Sequence, residues 1–143
     1  LDDARPVIDA LSATAIHVGD SGAGNVAKLV NNLLCAAHMV TTAEGLRLAE
    51  AAGIPASAVL EVLNAASGRS MLSEVHFPTW VMNAGFDSGF TMALMQKDVR
   101  LARKLATDTG TEMPPTETAA QLWATSDYGP TEDFTRMGDF RVK

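Results

Sequence analysis

The sequence has one cysteine, too few basic residues to balance its acids, and no long apolar run. Cys35 alone cannot close an internal disulfide and excludes a cysteine-rich zinc site. Seventeen Asp and Glu against 11 Lys and Arg leave a net charge of −6. That balance argues against nucleic acid or an anionic membrane surface as the main partner. No stretch reaches the ~18–20 apolar residues of a membrane span, and nothing at the start has the form of an export signal. A cytoplasmic protein without a membrane partner is therefore expected. Leu1 is not a methionine and opens into a helix-like phrase, which points to a piece of a longer protein.

What is present is a chain of 143 residues, 47% hydrophobic. That is enough for one domain, which at this size buries roughly 68–70% of its unfolded surface without a staple. Alanine is abundant and β-branched runs are scarce, a composition that favours helices. Residues 2–12 read as a short helix. TAIHV at 14–18 is the one plausible strand, and its partners are expected outside this chain because an isolated strand cannot satisfy its backbone. GDSGAG at 19–24 is a glycine-rich turn.

A long central helix is predicted over about 22–52. Val26, Leu29, Val30, Leu33, Ala36, Ala37, Val40 and Ala43 recur along it at helical spacing. It would run roughly 40 Å, and its apolar character extends far enough round the cylinder to call for several neighbours, a second subunit among them. Gly53 and Pro55 divide it from a helix carrying Val59, Leu60 and Leu63. Further helices are expected over 71–84, limited by Pro78, and over 91–110, with Leu94, Leu101 and Leu105 on one face. Pro114 and Pro115 start another to about Tyr128, and 131–140 makes a short terminal helix on Phe134, Met137 and Phe140. The fold class is all-α.

The glycines at 22–24 imitate two phosphate-binding motifs. GAGNVA has the G-x-G-x-x-A form, and Glu44 lies 20 residues past Gly24. A dinucleotide fingerprint, however, delivers its acid on a second strand, and Glu44 falls within the continuing helix. The P-loop spacing before Lys28 is also missing. What remains is Lys28 near the start of a long helix, with Asn32 one turn on and able to reach a common ligand. The macrodipole disfavours a cation there, which suits a lysine that must give up its proton, and the free N–H groups suit a carboxylate. A solvated lysine beside Asn31 and Asn32 is the ordinary alternative. Lys97, Arg100 and Lys104 also share a face, beside Asp98, which is ordinarily a solvated stripe. Phe90 before them is ordinarily a core or staple residue. His17, His38 and His76 have no metal-ligand spacing, and His38 reads as a core residue. Cys35 reads as inert packing, and the seven methionines as core filler.

GAGNVAKLVNN at 22–32 resembles the G-x-G-x-x-x-K-x-x-N-N signature of the β-hydroxyacid dehydrogenases. These include 3-hydroxyisobutyrate dehydrogenase, tartronate semialdehyde reductase and relatives of 6-phosphogluconate dehydrogenase. EGLRLAEAAGI at 44–54, VLNAASGRS at 62–70, GF at 89–90 and KDVRLA at 97–102 follow in the family's order, so the resemblance covers essentially the whole chain. It implies an enzyme with an N-terminal Rossmann domain that holds most of an NAD or NADP cofactor. An all-α domain for substrate binding and dimerisation would follow, residues 20–143 here, with 1–19 closing the cofactor domain. It further implies Lys28 as catalytic acid–base, Asn32 as substrate-binding, and Lys97 and Phe90 as cofactor-binding. Met71 departs from the tryptophan many members carry after SGRS, which leaves the substrate's shape open. The implied reaction interconverts a small 3-hydroxy acid and its semialdehyde or keto acid. The rival from another class is a non-catalytic helical dimerisation module with inherited residues.

Overall fold

The computed structural model describes residues 4–141. Seven helical elements follow one another: α1 (Arg5–Leu11), α2 (Ala23–Ala51), α3 (Ala56–Ala65), α4 (Leu72–Val81), α5 (Met92–Thr109), α6 (Pro114–Ala124) and a closing 3-10 helix, Phe134–Gly138. Among the described residues the β-structure is limited to one isolated bridge, between Thr91 and Asp133. The all-α expectation holds. The stretch expected as a strand at 14–18, with its partners outside this chain, pairs with no segment among the described residues and stands exposed, Ile16 and Val18 included. An extended segment without a partner edge has nothing to make it a strand.

The spine is α2, 29 residues long. Gly22 enters it with φ +97°, in the left-handed region that glycine tolerates at little cost. At the far end Gly53, again left-handed, and Ile54 turn their N–H groups back onto Glu50 and Ala49 and close the last turn. Burial along α2 begins later than its apolar pattern does. Leu33, Ala36, Met39, Val40, Ala43 and Leu46 are in the core, whereas Val26, Val30 and Leu34 are exposed along one line of the first half. Around the buried half pack α5, α6, α3 and the 3-10 helix. Trp123 of α6 is fully buried and gives its indole N–H to the carbonyl of Ala36 at 3.0 Å.

Four expected elements differ in detail. The helix predicted over 71–84 is a π-helix, Leu72–Val81. Its wider turn accommodates Pro78, which has no N–H to give to an α-helical ladder, and its last bond runs five residues back, Met82 to Phe77. The core face of α5 is Met92, Met95, Val99 and Ala102, not the leucine face. Leu94 and Leu101 are exposed and Leu105 is half-buried. The methionine–valine row falls at i, i+3, i+7 and i+10, a stripe that contains position 98 and aims it at α2. The last segment forms a 3-10 helix, in which residues three apart eclipse, so Phe134 and Met137 stack on one edge and Phe134 and Phe140 are buried. Likewise α6 stops at Ala124, short of Tyr128.

Candidate active site

Lys28 lies six residues into α2, and Asn32 follows one turn later on the same face. Both meet a residue of α5 that the sequence marks only as a neighbour of cations: Asp98. The Lys28 ammonium donates to its Oδ2 at 2.6 Å, and the Asn32 amide donates to the same oxygen at 2.7 Å. Lys97 approaches the other oxygen at 3.4 Å. Asp98 is 2% exposed, whereas Lys28 and Lys97 keep 55% and 46% of their side chains in contact with solvent. A buried carboxylate thus anchors three groups that remain reachable from outside. Burial by itself would raise the Asp98 carboxyl. The hydrogen bonds from Lys28 and Asn32, then the charges of Lys28 and Lys97, outweigh it and hold the group below the ordinary aspartate value.

Asn31, for which the sequence supplies no role, donates its amide N–H to Oδ1 of Asn32 at 3.1 Å. Asn32 therefore accepts on one side and donates on the other, which fixes the direction its amide faces. Lys28 is likewise not a bare cation opposed by the helix dipole, because the facing helix supplies its counter-charge.

Beside this cluster lies a cleft of about 530 Å³. Asn31, Asn32, Cys35 and His38 of α2 form one wall, and Arg69, Ser70 and Met71 close one end. His76 and Trp80 of α4, with Ser88, Phe90 and Phe134, form the opposite side. No Asp or Glu lines it. The aromatic side is tied together edge to face: the His76 ring lies 5.1 Å from Trp80 and 5.7 Å from Phe134, and Phe90 lies 5.5 Å from Phe134.

The predicted residues thus fall in two places. Lys28, Asn32 and Lys97 converge on Asp98, while Phe90 stands on the cleft wall, and Asn32 belongs to both. His38 is exposed on the cleft rather than packed in the core. Cys35 is half-buried there, and burial pushes its thiol up to about 11, the behaviour of an inert residue. Asp98, His76 and Trp80 are the members that sequence reasoning missed. For Asp98 the signal was its place within the Met95–Val99–Ala102 stripe, since an acid on a buried stripe requires partners. Among the described residues no cluster of His, Cys, Asp or Glu has metal-binding form, and no helix is long and apolar enough to cross a membrane.

The site is thus a lysine–asparagine pair on the longest helix, braced by an acid from a second helix. Residues 22–140 match the family described as "NAD-binding of NADP-dependent 3-hydroxyisobutyrate dehydrogenase", and the chain belongs to that family. It is 34% identical to the 2-(hydroxymethyl)glutarate dehydrogenase of Eubacterium barkeri over 119 residues, 83% of this chain and 40% of that protein. A probable mitochondrial 3-hydroxyisobutyrate dehydrogenase of Arabidopsis thaliana is 36% identical over 126 residues, 84% of this chain and 36% of the relative. The solved structure of the Mycobacterium tuberculosis 3-hydroxyisobutyrate dehydrogenase with L-serine superposes with a TM-score of 0.83 at 34% identity. That match covers 95% of this chain and 49% of the other. The chain accordingly spans half or less of the length of these relatives.

Proposed function

We propose that this chain is the helical substrate-binding and dimerisation part of an NAD(P)-dependent dehydrogenase of small 3-hydroxy acids. In this reading residues 20–143 form that domain, and 1–19 close a cofactor domain that precedes it. The observation that carries it is the convergence of Lys28, Asn32 and Lys97 on one buried carboxylate beside a cleft, in a chain of this family. The substrate class follows from the relatives. 2-(Hydroxymethyl)glutarate, 3-hydroxyisobutyrate and L-serine are all HO–CH2–CH(R)–COO⁻ and differ in R alone. The reacting end is common to them, so the conserved chemistry belongs to the alcohol and carboxylate, and discrimination belongs to whatever meets R.

The residues present suit one side of a nicotinamide cofactor. Lys97 offers a half-exposed cation and Phe90 an aromatic wall, but among the described residues no strand-and-glycine cradle for the diphosphate exists. A bound nicotinamide cofactor would supply the hydride chemistry of the reaction. Neutral Lys28 removes the proton from the substrate hydroxyl, and in the reverse direction its ammonium returns that proton to the carbonyl oxygen. Asn32, its amide held by Asn31 and Asp98, hydrogen-bonds the substrate and fixes its approach to Lys28. Asp98 touches no reactant and keeps Lys28 and Asn32 in register.

The test is a set of turnover assays on the intact protein containing this chain, with the three hydroxy acids and both cofactors. Activity toward at least one is expected, lost in Lys28→Met while cofactor binding persists. Unchanged turnover in Lys28→Met would remove the lysine from this role. The isolated 143-residue chain is expected to be inactive. The exposed line of Val26, Val30 and Leu34 favours a second reading, a dimerisation module without catalysis. An intact protein that dimerises and oxidises none of the substrates would establish that alternative.

A further inference from the structure

The loop that carries Phe90 is held from a distant part of the chain. Asp133 precedes the closing 3-10 helix, and its Oδ1 accepts the N–H and hydroxyl of Thr135, as a helix cap does. Capping uses one oxygen. The other, Oδ2, is turned across to the loop, where it accepts from the Gly89 N–H at 3.0 Å and from the Ser88 hydroxyl at 2.8 Å, a donor that also lies 3.0 Å from Oδ1. Around this carboxylate the two segments are laced by backbone bonds: Phe134 N–H to Phe90 carbonyl at 2.9 Å, and Met92 N–H to Glu132 carbonyl at 2.7 Å. The adjacent Phe134 is buried and sets its ring edge against Phe90. Gly89 stands at φ +84°, so the loop adopts a conformation with little intrinsic preference of its own and depends on these bonds.

We propose that Asp133 is a positioning residue for the cofactor: through Ser88 and Gly89 it sets where Phe90 stands on the cleft wall. This rests on the reading of Phe90 as a cofactor contact. A cap alone explains neither the second oxygen's partners nor their place in the loop ahead of Phe90. Burial raises the Asp133 carboxyl, but hydrogen bonds from Thr135, Ser88 and Gly89 more than offset it, so the group is ionised and available to both segments at neutral pH.

Asp133→Asn separates the two roles in the intact protein. The asparagine keeps a carbonyl oxygen for Thr135 and turns an N–H2 toward Ser88 and the Gly89 N–H, which has no acceptor left. Amide exchange over 85–92 should accelerate at least tenfold, and KM for the nicotinamide cofactor should rise about 2- to 10-fold, the scale of one aromatic contact. The turnover number should fall less than KM rises. Leu60→Ala, buried on α3 outside the cleft, serves as the control: it should lower the melting temperature and leave cofactor KM unchanged. Ser88→Ala, which removes one of the two Oδ2 donors, should show the same pattern more weakly if Asp133→Asn folds poorly. Unchanged exchange over 85–92 overturns the proposal. So does a normal cofactor KM in both variants when Phe90→Ala raises it. If Phe90→Ala itself leaves cofactor KM unchanged, the assignment of Phe90 fails and the proposal fails with it.

Discussion

Replacing Asp98 by asparagine isolates the charge that organises the site, because shape and size hardly change. In the native protein three groups contribute. The Lys28 pair, although short, has a half-exposed cation and is worth about 0.2–1 kcal/mol. The Asn32 bond to a buried carboxylate is of the charge-assisted kind, ~1.5–3 kcal/mol. Lys97, at 3.4 Å and half-exposed, adds little. Asparagine retains a neutral acceptor for Lys28 and Asn32, which recovers part of this, and places its N–H2 toward Lys97. The net loss at pH 7 is ~1–2 kcal/mol, about 5- to 30-fold in the folding equilibrium. Its pH dependence is the sharper test. The folded-state Asp98 carboxyl lies below its ordinary value, so its contribution is fully present above the unfolded value of ~3.9 and disappears as pH falls through the folded one. Urea unfolding of both chains, followed by tryptophan fluorescence from pH 7 downward, should show the gap closing in acid as the native carboxyl becomes a neutral acceptor. A gap below about 0.3 kcal/mol at pH 7, or one that persists undiminished in strong acid, would refute the idea that Asp98 braces the site by its charge.

Other outcomes test the frame around the site. Gly138→Ala places a methyl 2.5 Å from the Met39 sulfur and 3.2 Å from Val81, and should cost ~1–3 kcal/mol in chemical unfolding. Gly45→Ala, mid-helix with open space beside it, should instead stabilise by about 0.5–1 kcal/mol. Trp123→Ala should cost ~3–5 kcal/mol, since it empties the contact between α6 and α2, while the Ala36 carbonyl keeps its place in the helix ladder. Cys35 should react with a disulfide reagent at pH 8 at least tenfold more slowly than a free thiol, because little of it is thiolate; urea should abolish the difference.

Much of this architecture was written locally. Gly22, Gly53, Thr91 and Gly110 punctuate the chain by their own backbone and capping chemistry, so α2 and α5 fall within a residue or two of their expected ends. The pairing of Lys28 and Asn32 followed from spacing, since one turn of helix aligns them. What spacing could not supply was the partner across the gap. Which stripe of α5 faces inward depends on α2 and α6, and the leucines at 94, 101 and 105 are as apolar as the methionines that displaced them. The error concealed Asp98, because a charge is a surprise only once its face is known to be buried. The π-turn around Pro78 and the cleft wall of His76 and Trp80 were similarly illegible. The wall closes against Phe134, far along the chain, and Pro78 marks an irregular turn without fixing its form. The extended stretch at 14–18 shows the reverse: a strand-like composition with no edge to join.

The Lys28–Asp98 pair bears on how tightly any substrate can be held. A free cation greets an incoming anion with its full attraction; a lysine already matched with a carboxylate offers what remains. One of the three Lys28 N–H donors is committed at 2.6 Å, and the side chain is half-exposed. In the proposed reading, a hydroxy acid meets the remaining donors of a lysine still held by Asp98, and so gains only part of a free cation's attraction.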